Sequence, residues 1–272
     1  MSRNHLTLAG IVASFVCAAC SGPAQTPQEA GRAGPPAAQP IAFAPCTLSG
    51  ASASSNVEAH CGTLSVPENP AQPQGRRIDL RIARLDADNP GAAADPVFFI
   101  AGGPGQAATD VALPVSTALR QARRKRDIYL IDQRGTGGSN PLTCLGPDGK
   151  DLPLDENAAP NEATIRDYAS ACATSLEGRA DPRFYATSQA IDDLDAVRKA
   201  IGVPRVNLVG ASYGTRVAQR YAARYPQHVR TIVLDGVAPN DLVVGGDFAN
   251  TFEDAIVLQA AQCIKDAACA KR

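Results

Sequence analysis

Val206-Asn207-Leu208-Val209-Gly210-Ala211-Ser212-Tyr213-Gly214 joins a short apolar run to a G-x-S-x-G signature, and a helical pattern over Tyr213–Tyr225 follows at once. An apolar run of that length, bounded by turn residues, reads as a strand buried on both faces. Strand, tight turn and helix form the context in which this signature lifts a serine hydroxyl above a sheet, because the glycines permit the turn. The helix then points its positive end and its unpaired N–H groups back at Ser212. Ser212 is the candidate nucleophile; a small residue filling a tight turn is the bland alternative.

Val97–Ile100, Ile128–Ile131 and Thr231–Leu234 are equally short and apolar, as expected of strands buried on both faces. Gly62–Val66 and Arg77–Leu85 come earlier, the second with Ile78, Leu80 and Ile82 at period two, which predicts a half-exposed antiparallel pair. Helical patterns cover Val115–Arg126 and Ile191–Ile201, the latter with Leu194 and Val197 on one face. The alternation predicts an α/β fold, a mostly parallel sheet with flanking helices. Functional groups in such sheets gather in the loops at the carboxyl ends of the strands.

The loop after Val97–Ile100 is Ala101-Gly102-Gly103-Pro104-Gly105-Gln106. Few side chains shield its amides, as required where backbone N–H groups must touch a substrate oxygen. An oxyanion hole would combine Tyr213 N–H with one amide of this loop. Pro104 has no N–H, so the donor is Gly103 or, second, Gly102. The loop lacks the G-x-G-x-x-G spacing and the lysine of nucleotide loops. After Ile128–Ile131 comes Asp132-Gln133-Arg134-Gly135-Thr136-Gly137-Gly138-Ser139, in which Asp132 and Arg134 are expected to brace the loop beside the site.

These three motifs, in this order on successive strands, resemble the tripeptidyl aminopeptidase and proline iminopeptidase branch of the α/β-hydrolase fold. The resemblance runs from about Cys46 to Cys269 and includes Cys61-Gly62-Thr63-Leu64-Ser65-Val66-Pro67 and Tyr225-Pro226-Gln227-His228-Val229-Arg230. It implies a serine peptidase that attacks a peptide near its free N-terminus through an acyl-enzyme, without a cofactor. Iminopeptidases often carry His before G-G-P-G, so Ala101 tilts the resemblance toward the secreted tripeptidyl branch.

A serine needs a base, and the chain order in this fold is serine, acid, histidine. Only His228 follows Ser212, and it precedes the Thr231–Leu234 strand, at the opposite edge of the sheet; it is expected to be structural. His5 and His60 are no better placed. Asp235 follows that strand at the correct edge and is a weak candidate acid, otherwise a turn residue before Gly236. The chain therefore reads as the first part of a longer hydrolase, truncated before the cap domain and the last strands. Phe252, Ala255, Ile256, Ala260 and Cys263 recur at helical spacing and suggest an amphipathic helix opening a cap.

The 272 residues carry 26 Lys+Arg against 27 Asp+Glu, a balance that offers no basic footprint for nucleic acid. Leu6–Ala19 is too short to span a bilayer and reads as a secretion signal. Ala18 and Ala19 before Cys20 resemble a lipobox, although Cys17 stands where leucine is usual; a plain cleaved signal is the alternative. Residues 1–19 are thus a signal peptide, 20–45 a disordered Pro/Ala/Gly/Gln linker, 46–249 the hydrolase portion and 250–272 the start of a cap. The expected location is extracytoplasmic, with membrane contact only through a lipid on Cys20. Six cysteines remain, and sequential pairing is expected: Cys46 with Cys61, Cys144 with Cys172, Cys263 with Cys269. With no C-x-x-C outside the leader and three His in all, no metal site is expected. Arg123–Arg126 and the run Asp192, Asp193, Asp195 read as solvated faces. Beside the peptidase reading stand two others, a carboxylesterase acting on small esters and a catalytically silent fragment or binding lipoprotein.

Overall fold

The computed structural model describes residues 40–49, 56–89, 91, 93–153, 161–243 and 245–269. The expected leader, Cys20 and most of the expected linker lie outside the described residues. Seven strands form one sheet: β1 (Ala44–Leu48), β2 (Val57–Pro67), β3 (Arg77–Leu85), β4 (Val97–Ile100), β5 (Ile128–Ile131), β6 (Val206–Ala211) and β7 (Val229–Asp235). Their spatial order is β1-β2-β3-β5-β4-β6-β7. The first three are an antiparallel meander, and β3 joins β5 antiparallel. The half that carries the motifs, β5-β4-β6-β7, is parallel. Its chain reversal between β5 and β6 around β4 brings the loops after β4 and β6 side by side.

Period-two alternation divides the core into two layers. Phe98, Ile100, Tyr129 and Leu208 face α4 (Thr187–Ala200) and α5 (Tyr213–Arg224), packing on Leu194, Val197, Val217 and Tyr221. Val97, Phe99, Ile128 and Leu130 face the opposite way, onto α1 (Ala112–Ala118). Helix α1 ends at Ala118 and a short α2 (Arg120–Arg123) follows, where the sequence pattern predicts one helix over Val115–Arg126. A strand not expected from the sequence, β1, is bonded to β2 by the Cys46–Cys61 disulfide. Ile41 and Phe43, inside the expected linker, instead pack against the core, so the ordered fold starts before residue 46. Cys144 is joined to Cys172, tying the loop after Ser139 to α3 (Glu162–Leu176), and Cys263 to Cys269 at the end of α6 (Phe248–Lys265).

Two further expectations are corrected. Thr231–Leu234 does form a strand, but not one buried on both faces: Ile232 is 39% and Val233 54% exposed. It is the edge of the described sheet, where β6 covers one side, and among the described residues nothing packs beyond it. The aspartates of α4 are not a solvated face. Asp193 and Asp195 are buried, Asp193 paired with Arg134 and Asp195 with Arg198 and Lys199, while Asp192 meets Arg224 and the Tyr225 hydroxyl.

Asp195 collects Arg198 Nε at 2.7 Å, Lys199 Nζ at 2.8 Å, the Tyr221 hydroxyl at 3.1 Å and His228 Nδ1 at 2.8 Å. Burial alone would raise its carboxyl; the hydrogen bonds from Arg198 and Lys199 outweigh that and hold it below the usual value. A carboxyl depressed in the folded state contributes stability above its unfolded value and loses that contribution as pH falls through the folded one. Resistance of the wild type to urea should therefore fall as pH drops below 3.8, the usual value for the group. Asp195→Asn should lower stability at neutral pH by about 3 kcal/mol and give a flatter acid limb.

Candidate active site

Ser212 sits between β6 and α5 with φ 52°, one of two non-glycine residues with positive φ among those described. Backbone in this region is costly for a side-chain-bearing residue and persists only where the surroundings over-determine it. The surroundings are visible. A Cβ on Gly210 would meet Gly214 O at 2.5 Å, and one on Gly214 would overlap Ile100 O. The two glycines let the start of α5 close onto the end of β4, and Ser212 is pushed out, exposed, at the apex. Its N–H donates to Asp235 O at 2.8 Å; its C=O accepts from Thr215 N–H at 2.9 Å and from Thr215 Oγ1 at 2.7 Å. Thr215 Oγ1 in turn accepts from Ala238 N–H at 2.8 Å, fastening the chain after β7 to the same turn.

The glycine loop after β4 runs over this apex. A Cβ on Gly102 would lie 3.0 Å from Ser212 Cβ and 3.5 Å from Ser212 Oγ, so the absence of a side chain there lets the two backbones approach. Gly103 has φ +104° and leads into a cis bond to Pro104. Tyr213 is the first residue of α5, so its N–H has no carbonyl one turn earlier in the helix to bond. Its phenol is hydrogen-bonded to Thr187 Oγ1 at the start of α4. Sequence reasoning did not find Thr187, because a threonine opening a helix carries no signal of a tertiary partner.

The loop after β5 is braced as expected of Asp132 and Arg134. Asp132, fully buried, accepts from Thr109 N–H at 2.9 Å, Thr109 Oγ1 at 3.0 Å and Gly138 N–H at 3.1 Å. Arg134 donates from Nε and Nη2 to the two oxygens of Asp193, both at 2.6 Å, and from Nη1 to Glu68 O and Phe184 O. Burial pushes the Asp193 carboxyl up to about 6, with Arg134 pulling the other way. Buried Glu68 accepts from Tyr185 Oη at 3.0 Å and Asp181 N–H at 2.9 Å. Burial, reinforced by Glu68, pushes the Tyr185 phenol up to about 12 despite the opposing Asn140 hydrogen bond.

Neither described histidine is near Ser212. His228 precedes β7 and pairs with Asp195, about 20 Å of strand away from the Asp235 end. His60 lies on β2, opposite Pro45 and Arg84, and its Nδ1 is 2.9 Å from Asp86 Oδ2. It is four strands, or roughly 19 Å, from β6. Asp235 ends β7 opposite Ala211; it is exposed and touches the serine turn through its carbonyl. Among the described residues no helix is long and apolar enough to cross a membrane.

Residues 95–256 match the family described as alpha/beta hydrolase fold. The chain belongs to that family. Over 248 residues it is 30% identical to the serine protease Hip1 of Mycobacterium bovis, a match covering 86% of this chain and 47% of that protein. Over 191 residues it is 30% identical to a tripeptidyl aminopeptidase of Streptomyces lividans, covering 65% of this chain and 35% of that one. A crystal structure of a proline iminopeptidase from Mycobacterium smegmatis overlaps 62% of this chain and 42% of its own, at 20% identity and a TM-score of 0.39. The chain spans about half or less of the length of the curated relatives it matches.

The Arg134 fork has a measurable consequence. Arg134→Met leaves Asp193 buried without its partner and should cost about 3–5 kcal/mol in urea unfolding. Arg134→Lys should recover only part of that, because one ammonium cannot reproduce the planar fork that reaches Asp193 and two carbonyls together.

Proposed function

We propose that the protein is an extracytoplasmic serine hydrolase that removes short peptides from the free N-terminus of polypeptides. The observation that carries this reading is the strained Ser212 turn at the start of α5 with the Gly102-Gly103 backbone lying over it. In this reading a base takes the proton from Ser212 Oγ as the oxygen attacks the carbonyl carbon. The resulting oxyanion is held by Tyr213 N–H and Gly103 N–H, with Gly102 as the alternative donor, and by the positive end of α5. The base then returns the proton to the leaving amine, and water attacks the acyl-enzyme to free the product and Ser212.

The acid and the base come, in this proposal, from sequence outside these 272 residues. Three observations support that: His60 and His228 are engaged far from Ser212, the relatives are about twice as long, and apolar surface stands exposed on β7 and α6. That surface comprises Ile232 and Val233 of β7 and Phe252, Ile256 and Val257 of α6. It suits a further strand and a cap packed onto them. Asp235 then serves the Ser212 turn through its backbone. The three disulfides favour an oxidising compartment, and Cys20 is the proposed lipid attachment point.

The test is hydrolysis by the whole gene product of a tripeptidyl p-nitroanilide, with its α-amine free or acetylated. The free peptide should be cleaved with kcat/KM at least about tenfold higher, since the amine must find a partner only when charged. Ser212→Ala should abolish turnover in both. Equal cleavage of the two, with small esters faster than either, would replace the aminopeptidase reading with an esterase.

A further inference from the structure

Beside the serine turn the structure holds a cavity of about 300 Å³. It opens between Pro104-Gly105 of the glycine loop, the Gln133–Thr136 turn and the start of α4, with Tyr185 and Tyr213 in its walls. It lies against the segments carrying both proposed oxyanion donors: Tyr213 itself is in the wall, and Pro104 directly follows Gly103. Its size is at the small end of ligand pockets, enough for one side chain and too little for a peptide.

Most polar side chains around it are already committed, and the Gln133 amide, which lines it too, carries no charge. The Arg134 guanidinium is used by Asp193 and two backbone carbonyls. The Tyr185 hydroxyl donates to Glu68 and accepts from Asn140; the Tyr213 and Thr187 hydroxyls bond one another; Thr136 Oγ1 donates to Gln133 O at 2.8 Å. A charged guest would find no free countercharge on these groups and would lose its water on entry. The aliphatic and aromatic surface of Leu142, Ala190, Pro104 and the two tyrosine rings is left for contact. Gly135 shapes this wall, because a Cβ there would lie 2.9 Å from Tyr185 Cδ1 and 3.3 Å from Leu142 Cγ.

We infer that this cavity receives the side chain of the residue whose carbonyl Ser212 attacks, and that it selects uncharged, apolar side chains. The inference rests on the serine peptidase reading. Which side of the scissile bond is served follows from connectivity: the Cβ of the carbonyl-bearing residue is three bonds from the oxyanion, whereas that of the leaving residue is four. A cavity walled by the segments that hold the oxyanion donors is reached first by the nearer one.

The experiment uses the whole gene product and the series Ala-Ala-Xaa-p-nitroanilide with Xaa = Gly, Ala, Val, Leu, Phe, Asp and Lys. Val and Leu should exceed Asp and Lys in kcat/KM by at least about tenfold. Leu142→Trp, which fills the cavity from its half-buried rim, should cut the Leu substrate about tenfold more than the Gly substrate. Leu142→Ala, which enlarges it, should move the optimum toward Phe, a gain that mere destabilisation does not produce. A flat series, or equal effects of both variants on Gly and Leu, overturns the cavity assignment and leaves the peptidase reading standing. No hydrolysis of any member, nor of small esters, overturns both.

Discussion

The contact between Gly214 and the Ile100 carbonyl is the constraint on which the site depends. There is no room for even a methyl group between them, and Gly210 is as tightly placed against Gly214. Any larger residue at either position would push α5 off the end of β4. With α5 seated, the chain must turn at Ser212 through a left-handed backbone, and the hydroxyl is left exposed at the carboxyl edge of the parallel strands. The same seating draws the Gly102 backbone over the serine. The exposed serine, the helix end and the glycine loop thus follow from a single close approach.

A second layer of structure fixes the loops around that approach. Loops at the carboxyl edge are ordinarily the mobile part of such a fold. Here Asp132 clamps the loop after β5 to Thr109 and Gly138, and Arg134 fastens it to α4 and to the chain after β2. The Thr187 hydrogen bond holds the Tyr213 ring, and Thr215 ties the strand β7 exit to the serine turn. Buried polar groups of this kind contribute rigidity when fully partnered. Their partners being used up is also what leaves the neighbouring cavity without charge.

Much of this was legible in the sequence because backbone demands select residue types. Gly210, Gly214 and the glycines after β4 mark close approaches, and the apolar runs of β4, β5 and β6 mark strands covered on both faces. Less was legible where the pattern reports on a partner. Thr231–Leu234 has the same composition as the central strands, yet a strand is buried only if something lies beyond it, and the described structure has nothing there. Asp193 and Asp195 read as solvated because charge patterning on one helix cannot reveal that Arg134, 59 residues earlier than Asp193, reaches into it. Helix α3 is almost entirely exposed, with only Leu176 buried, and is anchored by an Asn161 capping box and the Cys144–Cys172 disulfide. Ile41, Phe43 and the first residues of β1 were hidden inside a stretch whose average composition is that of a tether.

Ser212 is the proposed seat of the chemistry, and covalent labelling addresses it directly. The whole gene product would be treated with a fluorophosphonate and the adduct located by mass spectrometry of its peptides. A single adduct on Ser212, absent from Ser212→Ala, is the result predicted. An adduct on a different serine, or a protein that hydrolyses peptides while Ser212 stays unmodified, would contradict it.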